Sequence, residues 1–262
     1  MAGLPMPGLL TPDWPLPAGV RALCTTRAGG VSAPPFDSFN LGDHVRDDPA
    51  QVAANRRRLA GLTAPAQPVF LQQVHGTRVL RLQAGAAHIA ASQGAQADAC
   101  LTTEPGVACT IMVADCLPVL FAHASGRAVA AAHAGWRGLA GGVLEATVQA
   151  LQQAAGPGAI RAWLGPCIGP AAFEVGDEVR EAFGPDEAVR ACFQPHGPGK
   201  WLADLPALAR IRLQRAGVAD LHGNDGTPGW CTVTQASVFF SHRRDAARLG
   251  STGRMAACIW FG

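Results

Sequence analysis

The sequence predicts an α+β fold in one domain, and three observations carry the prediction. Short apolar runs bounded by Gly, Pro and Asp occur in neighbouring groups, not in strict alternation with helical patterns. Strand candidates outnumber helix candidates. No composition shift, repeat or low-complexity linker divides the 262 residues.

The first seventeen residues hold five prolines and no Lys or Arg. They are expected as an N-terminal arm (1–17) without the basic start of a secretory signal; residues 18–262 form the domain. Strands are predicted over Arg21–Thr25, Val69–Leu71, Arg78–Leu82, Ala97–Leu101, Val107–Val113, Pro118–Ala122, Ala128–Ala132, Ile160–Leu164, Ala172–Val175, Ser237–Ser241 and Met255–Trp260. Asp48-Pro49 reads as a cap and first turn, opening a helix that runs to about Ala60. Val143, Thr147 and Leu151 recur at helical spacing within Gly138–Ala155, predicting a second helix. Asp204 caps a third that ends near Ala216, and a short one follows Gly176-Asp177.

Composition excludes several classes. Hydrophobic residues make up 48% and charged residues 15%, which argues against disorder. No apolar stretch approaches the ~18–20 residues of a membrane span. A net charge of +2 makes no general case for nucleic acid. Twenty Arg stand against one Lys, and Tyr is absent; GC-rich codon usage explains this, with anion binding as the alternative. Eight cysteines without CxxC spacing argue for free thiols in a cytoplasmic protein, and Cys24, Cys109 and Cys258 read as buried small hydrophobes.

Three segments place chemistry at strand ends: His75 in Leu71–Gly76, Cys116 in Val113–Pro118, and His133 in Ala131–Gly138. Two imidazoles and a thiolate suit zinc and leave a fourth tetrahedral position open. Cys116 as nucleophile with His133 as base is a rival reading of the same residues, and structural turns are the plain one. Cys167, flanked by Gly165, Pro166, Gly169 and Pro170, marks a rigid loop. Gly29-Gly30 beside Arg27 could turn amides toward an anion. Gly135–Gly142 matches neither nucleotide-binding fingerprint. Arg56-Arg57-Arg58 reads as a solvated helix face, and Ser241–Asp245 with Thr252–Arg254 as loop-anchoring networks.

Together these segments resemble the YfiH-like, laccase-domain family, also described as multicopper polyphenol oxidoreductase-like or purine nucleoside phosphorylase-like. The motifs are TTRAGGVS (25–32), FNLGDHVRDDP (39–49), NRRRL (55–59), QQVHG (72–76), ADCLP (114–118), HAGWRG (133–138), GPCIGP (165–170), FEVG (173–176), SHRRD (241–245) and TGR (252–254). The resemblance implies a layered sandwich of β-sheets with flanking helices, and His75, Cys116 and His133 as zinc ligands and catalytic centre. It implies purine nucleoside phosphorolysis (inosine, adenosine, methylthioadenosine) with adenosine deamination. Nucleoside and phosphate would be the partners; charge and composition argue against a nucleic acid or membrane partner and for a cytoplasmic location, and the oligomeric state stays open, with a monomer favoured. Arg27, Asn40, Arg56, Gln73 and Cys167 are the expected substrate contacts. The family's usual Tyr is Phe173 here. A copper phenol oxidase, an amide hydrolase editing peptidoglycan precursors and a non-catalytic metal-binding module are the alternatives. Eight His without an HxH pair disfavour a multicopper cluster.

Overall fold

The computed structural model describes residues 8–262. In chain order it contains β1 (Leu9–Leu10), β2 (Val20–Thr25), α1 (Pro49–Thr63), β3 (Gln67–Val69), β4 (Val79–Leu82), α2 (Ala86–Ser92), β5 (Ala99–Thr102), β6 (Val107–Val113), β7 (Leu117–His123) and β8 (Val129–Ala134). There follow α3 (Trp136–Gly141), α4 (Val143–Ala155), β9 (Ile160–Leu164), β10 (Glu174–Gly176), α5 (Asp177–Ala182), α6 (Glu187–Arg190), β11 (Phe193–Pro195), β12 (Lys200–Ala203), α7 (Leu205–Arg215), β13 (Asp220–Gly223), α8 (His242–Leu249) and β14 (Met255–Phe261).

Among the described residues the strands form three sheets, ordered β1-β2-β14-β6-β3, β13-β9-β7-β8-β5-β4 and β10-β12-β11. The first two stack face to face. Val107, Cys109, Ile111 and Val113 of β6 meet Leu120, Ala122, Val129 and Ala131 of the six-stranded sheet in one core. Period-two alternation sends Ala108 and Met112 of β6 to the other face, against Leu59 of α1. The outer face of the six-stranded sheet is covered by Val143, Val148 and Leu151 of α4 and Leu208 of α7. The layers are therefore helix, sheet, sheet, helix. With both faces covered, the central strands β6 to β8 read as continuous apolar runs.

Several expectations are corrected. Residues 1–7 of the Pro-rich arm lie outside the described residues; from Gly8 the arm is built into the fold. Leu9 and Leu10 pair antiparallel with Thr25 and Cys24, and Trp14 is buried. The helix expected over Gly138–Ala155 is two helices, broken at Gly142, whose φ of 99° lies in the left-handed region. Ser237–Ser241 is not a strand. Ser241 instead accepts from the Arg244 N–H and caps α8, so the SHRRD segment is helical; its side chains do anchor loops, Arg244 donating to the Thr232, Val233 and Phe239 carbonyls and Asp245 accepting from Thr252. No helix among the described residues is long and apolar enough to cross a membrane.

Candidate metal centre

The chain crosses between the two stacked sheets in the Ala114–Cys116 turn that joins β6 to β7, and Cys116 sits at that crossing. His133 projects from β8, whose register pairs it with Pro118 on β7. His75 comes from the loop between β3 and β4. One ligand atom from each of the three lies within 4.8 Å of the others. Cys116 Sγ stands 3.6 Å from His75 Nε2. Tetrahedral zinc at ordinary Zn–S and Zn–N lengths sets a thiolate and an imidazole about 3.6 Å apart, so this pair has the spacing of two ligands on one ion.

Asp98, on the approach to β5, holds the His133 imidazole and the main-chain turn that carries His75. Its Oδ1 accepts from His133 Nδ1 at 2.9 Å and from the His75 N–H at 2.9 Å. Its Oδ2 accepts from the Val74 N–H at 3.1 Å and the Gly76 N–H at 2.7 Å. Engaging Nδ1 of His133 leaves its Nε2 for a metal. The three amide bonds hold the turn in which His75 takes a φ of 61°. Asp115, beside the thiol, has a φ of 89°. Its carboxylate accepts from Thr232 Oγ1 at 2.5 Å and the Arg243 N–H at 2.6 Å. Two of the three ligand turns are thus strained and held by buried polar contacts.

Glycines supply the room. A Cβ on Gly135 would stand 2.6 Å from His75 Cδ2, 3.0 Å from Cys116 Sγ and 3.2 Å from His75 Nε2, inside the ligand cluster. A Cβ on Gly138 would meet the Gly76 carbonyl at 2.8 Å, so α3 approaches the His75 turn closely. The donor set and the space at Gly135 both fit a bound metal ion.

Burial alone would push the Cys116 thiol up. The His133 imidazolium beside it and hydrogen bonds from His133 and His75 outweigh burial and bring it down to about 6. Burial pulls His133 down, but the Cys116 charge and the Asp98 hydrogen bond raise it to about 9. In the metal-free chain these opposed shifts favour a thiolate–imidazolium pair at neutral pH. Iodoacetamide should label Cys116 of the metal-free protein at a plateau rate above pH 7, falling as pH drops through about 6, because only the thiolate reacts. Zinc should protect it. A profile rising only near pH ~8.5, as for a free thiol, would contradict the pairing.

The centre opens into a cavity of about 990 Å³. His75, Cys116 and His133 line it, as do Phe70, Trp136 and Phe173. Of the five further contacts expected from the sequence, Arg56 and Gln73 line the cavity; the Gln73 amide is spent on both main-chain groups of Met112. Three do not line it. Arg27 is bound to Asp37 and to the Ala236 carbonyl. Asn40 is fully buried, bonding Gly42, Asp47 and the Arg254 N–H. Cys167 is fully buried, and Asn224 Nδ2 donates to its sulfur at 3.3 Å. Asp98 and Gly135 are not among the residues expected from the sequence, and Arg254 both anchors the Thr252–Arg254 loop and lines the cavity. An acidic residue inside the apolar run 97–101 was the available signal for Asp98.

Comparison with known proteins agrees with this architecture. A family model described as multi-copper polyphenol oxidoreductase laccase matches residues 21–262. The purine nucleoside phosphorylase YfiH of Escherichia coli (strain K12) is 52% identical over 258 residues, 98% of this chain and 100% of that protein. A purine nucleoside phosphorylase of Pseudomonas aeruginosa is 52% identical over 255 residues, 96% of this chain and 98% of its own. The crystal structure of a Neisseria meningitidis protein superposes with a TM-score of 0.86 at 46% identity, covering 97% of this chain and 99% of that one. The chain belongs to the YfiH-like, multi-copper polyphenol oxidoreductase laccase family.

Proposed function

We propose that this chain is a zinc-dependent purine nucleoside phosphorylase acting on inosine, adenosine and methylthioadenosine, with adenosine deamination at the same centre. The observation that carries the reading is a His75–Cys116–His133 cluster opening into a cavity whose walls combine aromatic planes with guanidinium groups. The names of the relatives, at 52% identity over nearly the whole chain, support it.

The cavity is large enough for a nucleoside with phosphate. Phe70, Trp136 and Phe173 offer apolar faces for a purine. Phe173 brings no hydroxyl to the site; the Arg243 guanidinium lies 5.7 Å from its ring centre. Cys116, His75 and the Nε2 of His133 would hold zinc, with Asp98 keeping the proton of His133 on Nδ1. The bound ion would supply Lewis-acid stabilisation of charge developing in the reaction. In phosphorolysis a phosphate oxygen bonds to C1′ of the ribose. The C1′–N9 bond breaks, and its electron pair leaves on the purine, which takes up a proton. The cavity walls hold the two reactants together.

Copper is disfavoured on donor chemistry. A laccase-type oxidase needs several coppers, and the cluster that could hold a metal among the described residues is one three-ligand set. Purified protein loaded with about one zinc per chain should convert inosine and phosphate to hypoxanthine and ribose 1-phosphate, with no base released when phosphate is omitted. Equal base release without phosphate would make the protein a hydrolase. Ammonia release from adenosine tests the deaminase.

A further inference from the structure

One wall of the cavity carries Arg56 of α1, Arg254 just before β14, and His44 from the loop between β2 and α1. Both arginines are fixed by the fold, without a carboxylate to match each of them. Arg56 donates from Nε to the Leu41 carbonyl at 2.9 Å and pairs through Nη1 with Asp43 at 3.1 Å. Its guanidinium lies 4.1 Å from the Phe70 ring centre, and its Nη2 is buried with no acceptor. Arg254 is gripped at its main chain, where its N–H donates to Asn40 Oδ1 at 2.8 Å. Its stem runs against Gly42, where a Cβ would come within 2.8 Å of its Cγ. Its two side-chain bonds, both from Nη1, go to the Thr252 and Gly253 carbonyls and not to a carboxylate.

The remaining charges of the cavity offset this wall only in part. Asp43 is shared between Arg56 and His44. Both Asp115 oxygens are engaged by Thr232 and the Arg243 main chain. Burial disfavours the Arg254 charge, with the Cys116 and Asp115 anions acting the other way; burial and then the Arg254 charge pull His44 down. Three guanidiniums, Arg56, Arg243 and Arg254, stand against two carboxylates, Asp43 and Asp115, along the cavity, and a bound anion at the Arg56–Arg254 wall offsets the excess. Guanidinium forks match the oxygens of a tetrahedral oxyanion.

We propose that Arg254, with Arg56 and His44, forms the seat of a phosphate dianion in the cavity, Arg254 supplying the principal free charge. The inference rests on the phosphorylase reading for the role of that phosphate as co-substrate. The seat explains how a centre with no phosphate-binding loop takes phosphate: a side-chain cluster does it, with the nucleoside lying between this wall and the metal centre.

The test uses zinc-loaded wild type, R254Q and R254K, each checked for metal content and melting temperature. Titration with inorganic phosphate alone, by calorimetry, should give binding at least about tenfold weaker in R254Q, the scale of one charge-assisted hydrogen-bonded contact, with partial recovery in R254K. In the inosine assay the KM for phosphate should rise at least about tenfold in R254Q, while the KM for inosine stays within about twofold. Adenosine 5′-monophosphate should compete with both inorganic phosphate and adenosine. Unchanged phosphate binding in R254Q, no phosphate binding by wild type, or an effect confined to the inosine KM overturns the seat. If wild type binds phosphate through Arg254 but splits no nucleoside, the seat stands and the phosphorylase reading falls. If wild type phosphorolyses inosine and R254Q binds phosphate equally well, the seat alone falls.

Discussion

Stripping the metal from the purified protein with a chelator, or replacing His75 by alanine, is expected to abolish turnover, and added zinc is expected to rescue the stripped wild type but not the variant. In the proposed centre three protein ligands would hold the ion, so removing one would leave a two-ligand site. Lewis-acid stabilisation is worth several kcal/mol, so the loss in rate should reach about 10²–10⁴-fold. The fold should survive, because the His75 side chain is exposed. Alanine does pay a penalty at a φ of 61°, so His75→Asn serves as a second variant, since Asn tolerates the left-handed region better. The same experiment decides the rival reading of Cys116. A Cys116–His133 nucleophile–base dyad has no necessary use for His75 or for metal. Full activity in metal-free protein or in either His75 variant would promote the dyad and end the metal mechanism.

That the three candidate ligands are legible in the sequence has a physical cause. Each sits where an apolar run stops beside Gly, Pro or Asp: Val74-His75-Gly76, Asp115-Cys116 before Leu117-Pro118, and His133-Ala134-Gly135. Strand ends are marked locally, and a reactive side chain there stands out. Which strand ends converge is set by sheet order, which local patterns do not carry. The Cys116 turn joins two different sheets, and this follows from β6 pairing with β14 while β7 pairs with β8 and β9. The layered arrangement came from family resemblance, whereas the α+β class came from the runs themselves. The misread elements share a second cause. Ser241 is both an apparent strand residue in Ser237–Ser241 and the cap of α8, and only the Arg244 N–H it binds distinguishes the two. The break at Gly142 interrupts a pattern whose apolar positions continue across it. Arg27 and Arg56 look alike as chemistry beside a loop or on a helix, but Arg27 is locked to Asp37 and Ala236 away from the cavity while Arg56 lines it.

Asp98→Asn is expected to weaken zinc binding by about 10–100-fold, the usual cost of losing an outer partner of a metal-bound histidine, and to destabilise the chain as well. The substitution keeps shape and removes one acceptor position, and either orientation of the amide fails. With its nitrogen at the Oδ1 position, it faces the His75 N–H and His133 Nδ1. His133 can answer only by moving its proton to Nε2, the atom a metal needs. With the nitrogen at the Oδ2 position, it faces the Val74 and Gly76 N–H groups. Two buried donors lose their acceptor in each case, at about 1–3 kcal/mol apiece, so about 2–6 kcal/mol in all. That is a large part of a typical folding stability of about 5–15 kcal/mol, yet it leaves a folded protein to measure. Metal affinity by competition with a chromophoric chelator separates the two effects, since a purely structural role for Asp98 would lower the melting temperature and leave affinity in the folded variant unchanged. The sign with pH follows from the same contacts. Burial alone would raise the Asp98 carboxyl, but the His133 and amide hydrogen bonds hold it below the usual carboxylate range. A depressed acid contributes its stability in full above its unfolded value of about 3.9 and loses it as pH falls through the lower folded value. The stability gap between wild type and Asp98→Asn should therefore close in acid, and the part carried by charged His133, raised to about 9, should fade only as pH rises through that value; a gap that closes near neutrality would remove Asp98 as the carboxylate that holds the site.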